Sequence, residues 1–190
     1  MKYHHKYSRL LSSIWLILFT ICPSSKAAEQ VAFVSGAFKR TVSVENIEHL
    51  ARTGEAKDLL KDFVRFSNED PKKIATLLNE SVELPLVLTS KLMYSSIGEV
   101  ILRRVAKIIY PVKVPDRSVS VPAIRSAVIK GLLAKDENLN LIDFLKAYPN
   151  KIIAINVPAL TKVINKVETM TDLVKFFSNS PLEGLKERKL

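Results

Sequence analysis

Cysteine, tryptophan and histidine are scarce in this chain, and the positions of the few that occur limit its chemistry. The one cysteine, Cys22, and the one tryptophan, Trp15, both fall within the first 27 residues. If these residues form a cleaved leader, the remaining chain can form no disulfide and has no cysteine nucleophile. His49 is then the only histidine that remains as a base.

None of the five glycines belongs to a Gly-x-Ser-x-Gly motif, which presents the nucleophilic serine in α/β-hydrolases. His49 therefore has no nucleophile that the sequence identifies, and a single histidine in a helix is usually structural. The loop from Asp136 to Asn140 has the first three oxygen ligands of a calcium site, but Leu141 and Ala147 replace the required glycine and glutamate. We expect no catalytic residue, no metal site and no cofactor.

The N-terminal segment has the three parts of a secretory signal peptide. Basic residues come first, an apolar run follows over residues 10–21, and the small residues Ser25 and Ala27 provide a cleavage site. The run is shorter than the roughly 20 apolar residues that span a bilayer. We predict cleavage after Ala27, export to the periplasm or the extracellular medium, and no transmembrane helix in the mature chain. A lipoprotein anchored at Cys22 is the alternative, but Ile21 occupies a position that normally holds a small residue.

Cleavage would also remove much of the positive charge. The 190 residues include 29 basic and 19 acidic side chains, and the net charge is +10. Residues 1–27 contain four basic residues and no acid, so the 163 residues that remain have a net charge of +6. This charge favours solubility and permits contact with anionic lipid or polysaccharide. No nucleic-acid partner is expected, because the chain has no motif that reads nucleic acid.

The mature chain is predicted to open with a β-hairpin over residues 30–42 that turns at Gly36. Ser43 is the expected N-cap of a first helix, which Gly54 ends. A second helix follows, and Asp70 caps a third. The residues expected on the inner face of the second helix are Leu59, Leu60, Phe63 and Val64.

A central helix is predicted over residues 95–110, where Ser96 and Glu99 have the spacing of a capping box. Gly98 in its first turn indicates a close crossing by another segment, with a tolerated surface glycine as the alternative. Pro85 is expected to begin the preceding helix. The residues that we expect to face the core in these two helices are Leu88, Leu92, Ile97, Ile101, Leu102, Val105, Ile108 and Ile109.

Further helices are predicted to begin at Pro122, after the Asn140 cap, and at Pro158, with a strand over residues 151–156 between the last two. The last helix has an apolar seam over residues 160–177, which serves either the core or a partner. Together the elements predict one predominantly α, α+β domain over residues 28–180, followed by a charged tail over 181–190. We expect seven to eight helices packed with a two- to three-stranded antiparallel sheet.

The densest basic stretch follows the cap of the central helix. Its members are Arg103, Arg104, Lys107, Lys113 and Arg117. On a continuous helix Arg103 and Lys107 share one face, which makes the stretch a candidate contact for a partner or an anion. The alternative is an ordinary solvated face.

Several motifs resemble a known family. They are Ala51-Arg52-Thr53-Gly54-Glu55 after the hairpin, Ser96-Ile97-Gly98-Glu99-Val100-Ile101-Leu102, and Leu141-Ile142-Asp143-Phe144-Leu145 with Tyr148-Pro149 before a strand. The family is a helical domain of unknown function that precedes predicted secreted α/β-hydrolases in photosynthetic bacteria. The resemblance implies an accessory domain, and because this chain ends at Leu190 we expect a stand-alone form without a hydrolase domain.

These observations lead to three functional hypotheses. The first is an exported, non-catalytic interaction domain that docks on a partner such as a separately encoded hydrolase or another envelope protein. The second is an envelope-associated binder of anionic lipid or glycan through the basic stretch. The third is a hydrolase in its own right, which the missing nucleophile motif disfavours.

Overall fold

The computed structural model describes residues 27–67 and 70–164 and has a predominantly helical α+β fold. The described residues form eight helices, a four-stranded mixed sheet and a two-stranded sheet. The strands are β1 (Gln30–Ser35), β2 (Phe38–Ser43), β3 (Val82–Glu83), β4 (Ile109–Pro111), β5 (Asn138–Leu139) and β6 (Ile152–Asn156). The helices are α1 (Val44–Thr53), α2 (Asp58–Ser67), α3 (Pro71–Asn79), α4 (Leu86–Met93), α5 (Ser96–Val105), α6 (Arg117–Ala134), α7 (Leu141–Ala147) and α8 (Val157–Ile164). The predicted fold class is confirmed, and the main sheet has one strand more than expected.

The main sheet has the order β2-β1-β6-β4. β1 and β2 form the predicted antiparallel hairpin, in which Gly36 adopts a positive φ of 58°. β6 joins the hairpin, as predicted, but it pairs with β1 in parallel, with Val31 opposite Ile153. β4 then pairs with β6 in the antiparallel direction. The sheet is therefore mixed and contains one parallel pair.

Local capping chemistry sets several helix boundaries as predicted. The Ser43 hydroxyl accepts a hydrogen bond from the Asn46 amide, and Gly54 ends α1 in the left-handed conformation with a φ of 74°. Asp70 and Asn140 cap α3 and α7 through their side chains. In each case the cap satisfies an amide that the first helical turn leaves without a partner.

The predicted central helix is wrong at both ends. Ser95, and not Ser96, is the N-cap, because its hydroxyl accepts from the Gly98 amide. The helix ends at Val105, and residues 109–111 form β4 instead of a last turn. Tertiary pairing decides this, since the Asn156 amide donates to the Ile108 carbonyl and β4 lies beside β6.

The helix predicted from Pro122 begins earlier. Asp116 is the N-cap of α6 and accepts from the Ser118 amide at 2.6 Å, so Pro122 lies inside the helix. Pro122 lies in the second turn, so it removes the backbone donor that would bond the Ser118 carbonyl in a regular helix. The predicted inner face of α6 is confirmed. Its buried residues include Ile124, Ala127, Val128, Gly131 and Leu132.

Three predictions fall on residues outside the described part of the chain. The signal peptide up to residue 26 and the tail over 181–190 are two of them. The third is the apolar seam over 160–177, of which only the part up to residue 164 is described. Val163 in that part is buried.

Tyr148 is the largest fully buried side chain of the described core. Its ring contacts that of Phe144 edge-on, with centroids 5.9 Å apart. The hydroxyl has no hydrogen-bond partner among the described residues, and burial raises the pKa of Tyr148 well above its usual range. Burial therefore favours the neutral form of the phenol.

Gly98 lies where α4 and α5 cross. A Cβ atom at this position would stand 1.9 Å from the Leu92 carbonyl oxygen and 2.8 Å from its carbonyl carbon. The predicted close crossing is therefore confirmed, and the surface-glycine alternative is wrong. Only glycine lets the two backbones approach this closely.

We expect Gly98→Ala to lower the free energy of unfolding by about 1 to 3 kcal/mol, although alanine is the better helix former. The added methyl group meets backbone, which cannot rotate away. Gly131→Ala is the matched control, because its Cβ would meet mainly the end of the Leu139 side chain. Urea denaturation of both variants tests this. An unchanged stability in Gly98→Ala would show that the helices separate freely.

Candidate binding surface

α4 presents to solvent the residues that were expected to face the core. Leu88 is 66% exposed and Leu92 is 43% exposed, so their predicted inward orientation is wrong. The opposite side of the helix packs inward instead: Thr89 is buried, and Leu86 and Met93 pack against the core. Both sides of α4 are apolar, so the periodicity alone does not select one.

A contact from a distant turn fixes how α4 begins. The Leu84 amide donates to the Glu137 carbonyl at 2.8 Å, and the Leu86 amide donates to the Glu137 carboxylate at 2.9 Å. Glu137 therefore caps α4, which gets no cap from Pro85. Pairing of β3 with β5 holds the same two segments together.

Exposed apolar side chains continue from α4 into α5. Ile97 is 56% exposed, so its predicted place in the buried stripe is also wrong, whereas Leu102 is buried as expected. Leu59 on α2 is a similar case, since it is exposed and not part of the inner face. We call the exposed apolar residues of the two helices and their junction the α4–α5 face. Its members, each at least 42% exposed, are Val87, Leu88, Leu92, Tyr94, Ile97 and Val100.

Arg125 on α6 makes three contacts with the segments that form this face. Its Nε donates to the Met93 carbonyl at 3.0 Å, and its Nη2 donates to the Glu99 carboxylate at 2.9 Å. Its guanidinium also lies 4.4 Å from the centre of the Tyr94 ring, in the geometry of a cation–π contact. One half-buried cation thus joins the end of α4, the junction and the start of α5.

The predicted basic stretch is only partly a helical face. Arg103 is exposed and pairs with Glu99 at 3.1 Å. Lys107 lies beyond the end of α5, so the two residues do not share a helical face as the sequence suggested. Arg104 is half-buried, and its Nη1 has no hydrogen-bond partner among the described residues. Lys113 is exposed in the following connection, and the side chain of Arg117 is not described.

Positive charge is concentrated in the segment that contains α4 and α5. Residues 86–115 carry five basic side chains and one acid, Glu99. The remaining described residues carry 15 basic and 13 acidic side chains and are close to neutral. Two arginines, Arg103 and Arg125, neutralise Glu99. Lys91 and Arg103 are the exposed cations on the two helices of the face, and the Glu137 carboxylate lies at the start of α4.

His49 lines a polar cleft of about 250 Å³ on α1. Its Nε2 is buried and has no hydrogen-bond partner among the described residues. The neighbouring Glu48 is already engaged by Lys146 at 2.6 Å. Glu45 also lines the cleft, and no hydroxyl or carboxylate in the described part of the chain hydrogen-bonds the Nε2 of His49.

The turn that resembles the start of a calcium loop has a structural role. Asp136 and Glu137 adopt positive φ values of 47° and 67°, and Glu137 caps α4. Residues 27–67 and 70–164 bring no three acidic, histidine or cysteine side chains together as a metal site. Within the same ranges, no helix has the length and apolar character needed to cross a bilayer.

One family of known proteins matches this chain. Residues 27–156 match the family described as alpha/beta hydrolase of unknown function (DUF1400), which is more than half of the chain. The chain belongs to this family. No curated protein and no solved structure matches it. The predicted resemblance is confirmed as far as a family of unknown function that is described as an alpha/beta hydrolase.

In this DUF1400 member, two strands of the described residues run directly into helices, β2 into α1 and β6 into α8, and neither junction has the Gly-x-Ser-x-Gly sequence. The serine at the first junction, Ser43, accepts from the Asn46 amide as the N-cap of α1. α/β-Hydrolases place the nucleophilic serine where a buried strand turns sharply into a helix. Here β1 ends in a hairpin, and β6 runs directly into α8, where the Asn156 side chain accepts from the Ala159 amide at 3.1 Å. Neither strand of the parallel pair therefore delivers a serine to a helix start.

We expect Glu99→Ala to lower the free energy of unfolding by about 1.5 to 3 kcal/mol, because it leaves the half-buried Arg125 without its charged acceptor. Arg103→Ala is the matched control. It removes an exposed partner of the same carboxylate and should cost only about 0.3 to 0.5 kcal/mol. Urea denaturation measures both. Equal losses in the two variants would contradict the role assigned to Arg125.

Proposed function

We propose that this DUF1400 chain is an exported interaction domain that acts by binding and not by catalysis, and that the α4–α5 face is its contact surface. The observation that carries the proposal is the exposure of six large apolar side chains on two consecutive helices. Clusters of exposed apolar side chains often mark an interaction site on a soluble protein.

The face is built as a rigid surface. The close crossing at Gly98 fixes the distance between α4 and α5. Ser95 reinforces the junction, because its hydroxyl donates to the Leu92 carbonyl and accepts from the Gly98 amide. Arg125 joins the same segments from α6. A surface that is already ordered loses little conformational entropy on binding, which favours affinity.

The absence of catalysis is proposed from the chemistry of the described residues. Acyl transfer requires an activated nucleophile, a base in contact with it and donors for the oxyanion. His49 contacts no such nucleophile in the described part of the chain. Export is proposed from the signal-peptide pattern, and the family resemblance suggests a separately encoded hydrolase as one occupant of the face.

Photo-crosslinking in the producing cells tests the contact surface. We expect a photoreactive phenylalanine analogue at Leu88 or Ile97 to form adducts, because both side chains point out of the proposed surface. Leu133 on α6 is the matched control, since it is 62% exposed but lies outside the α4–α5 face. Adducts at position 133 equal to those at positions 88 and 97 would contradict the proposal. The mass of the adduct then reports whether the occupant is a lipid, a protein or a second copy.

We expect the purified chain to hydrolyse no chromogenic acyl ester above the rate of a heat-inactivated sample. His49→Ala is the control, because it removes the one imidazole that follows the predicted leader. Turnover that disappears in His49→Ala would overturn the non-catalytic proposal. Turnover that the variant retains would point to a contaminating esterase or to another residue, and fractionation against the protein peak separates these two cases.

A further inference from the structure

We infer that the partner of the α4–α5 face is an anionic lipid bilayer, on which the two helices lie with their apolar side chains at the level of the headgroups. The inference rests on the proposed function and names the partner of the same surface. It combines three observations on the described residues: the pattern of exposure along each helix, the distribution of charge and the position of Tyr94.

The exposed side of α4 mixes apolar and cationic residues at helical spacing. Val87 and Lys91 are four residues apart, as are Leu88 and Leu92, so the four side chains lie along one side of the helix. All four are exposed, while Thr89 on the other side is buried. Lys91 has no ion-pair partner among the described residues and extends from the same apolar side. This is the arrangement by which an amphipathic helix lies in a membrane interface.

α5 repeats the arrangement in the next ten residues. Ile97 and Val100 are exposed three residues apart, and Arg103 follows three residues later on the same side. Arg104 is the next residue, but it is half-buried and its Nη1 is enclosed by the protein. Lipid phosphates accept hydrogen bonds from guanidinium groups, so the exposed Arg103 can serve at the depth of the headgroups.

The charge distribution favours a negatively charged bilayer over other apolar partners. Residues 86–115 have a net charge of +4, from five basic side chains and one acid, and the acid, Glu99, is paired with Arg103 and Arg125. A second copy of this chain would bring the same cations towards each other, which disfavours a symmetric dimer through this face. A protein partner would need an apolar centre with an acidic border. An anionic bilayer offers both properties without a matching shape.

Tyr94 lies at the junction of the two helices and is 69% exposed. Tyrosine is enriched at the level of lipid headgroups, where its ring is in contact with apolar chains and its hydroxyl remains in water. The contact with Arg125 holds this ring in place at 4.4 Å. The described helices are too short or too polar to cross the bilayer, so the contact we infer is peripheral.

Vesicle co-sedimentation of the chain, as it is recovered from the producing cells, tests the inference. We expect binding to vesicles of one part phosphatidylglycerol to two parts phosphatidylcholine, and at most weak binding to phosphatidylcholine alone. Leu88→Asp should lower the affinity about tenfold or more, because it removes one fully inserted leucine. Leu133→Asp is the matched control and should bind like the parent. All variants share the same N-terminal segment, so any contribution from it is common to them.

A second pair of variants tests the charge. Lys91→Gln should lower the affinity for phosphatidylglycerol vesicles about fivefold, because each cation near an anionic surface contributes about this much. Lys61→Gln is the control, since Lys61 is exposed on α2 outside the α4–α5 face. Thermal melts verify that all four variants fold like the parent.

Two outcomes overturn the inference. The first is vesicle binding that Leu88→Asp leaves unchanged, and the second is an absence of binding to phosphatidylglycerol vesicles. If vesicles do not bind but crosslinks at position 88 yield a protein or a second copy, the bilayer is the wrong partner and the interaction function stands. If neither vesicles nor crosslinks involve position 88, both proposals fail.

Discussion

The parallel pairing of β1 with β6 is the constraint on which the rest of the fold depends. It joins Val31 to Ile153 and Ala32 to Ala154, and all four residues are at most 1% exposed. Closing a loop of about 120 residues costs entropy that only the burial of this sheet and of the helices between the strands can offset. β4 also pairs with β6. The last strand of the sheet in the chain therefore determines that residues 109–111, in the middle of the chain, form a strand.

This dependence explains which elements the sequence predicts. Ser43, Asp70 and Asn140 act within three residues of their own position, so their capping roles are readable from local chemistry. The close crossing at Gly98 is predictable for a related reason. Glycine is unfavourable in a helix, so its presence there indicates that another segment comes too close for a side chain. Local patterns fail where a distant partner decides. Ile109 continues a helical apolar pattern, yet residues 109–111 form β4 because they pair with β6.

Among the wrong predictions, the orientation of α4 matters most for the binding surface. Its sequence places apolar residues on both sides, so two opposite burial patterns fit it almost equally well. Glu137, about fifty residues away, fixes the start of the helix and leaves Leu88 and Leu92 in solvent. The sequence does contain one signal of this, namely more apolar residues on a short helix than a single buried side needs. An excess of this kind identifies a candidate surface even where it does not identify the side.

The positive charge on α5 does not by itself indicate a function. Glu99 in the first turn and Arg103 in the last turn both suit the helix dipole, so the stability of the helix accounts for their places. The apolar residues differ, since exposing Leu88 and Ile97 to water stabilises nothing in this fold. Glu99 is linked both to the order of the apolar surface and to its charge. It holds Arg125 under the junction, and the same ion pairs cancel the one negative charge among residues 86–115. The positive charge that remains among residues 86–115 therefore comes from the basic side chains that do not pair with Glu99, and it has to be interpreted together with the apolar exposure.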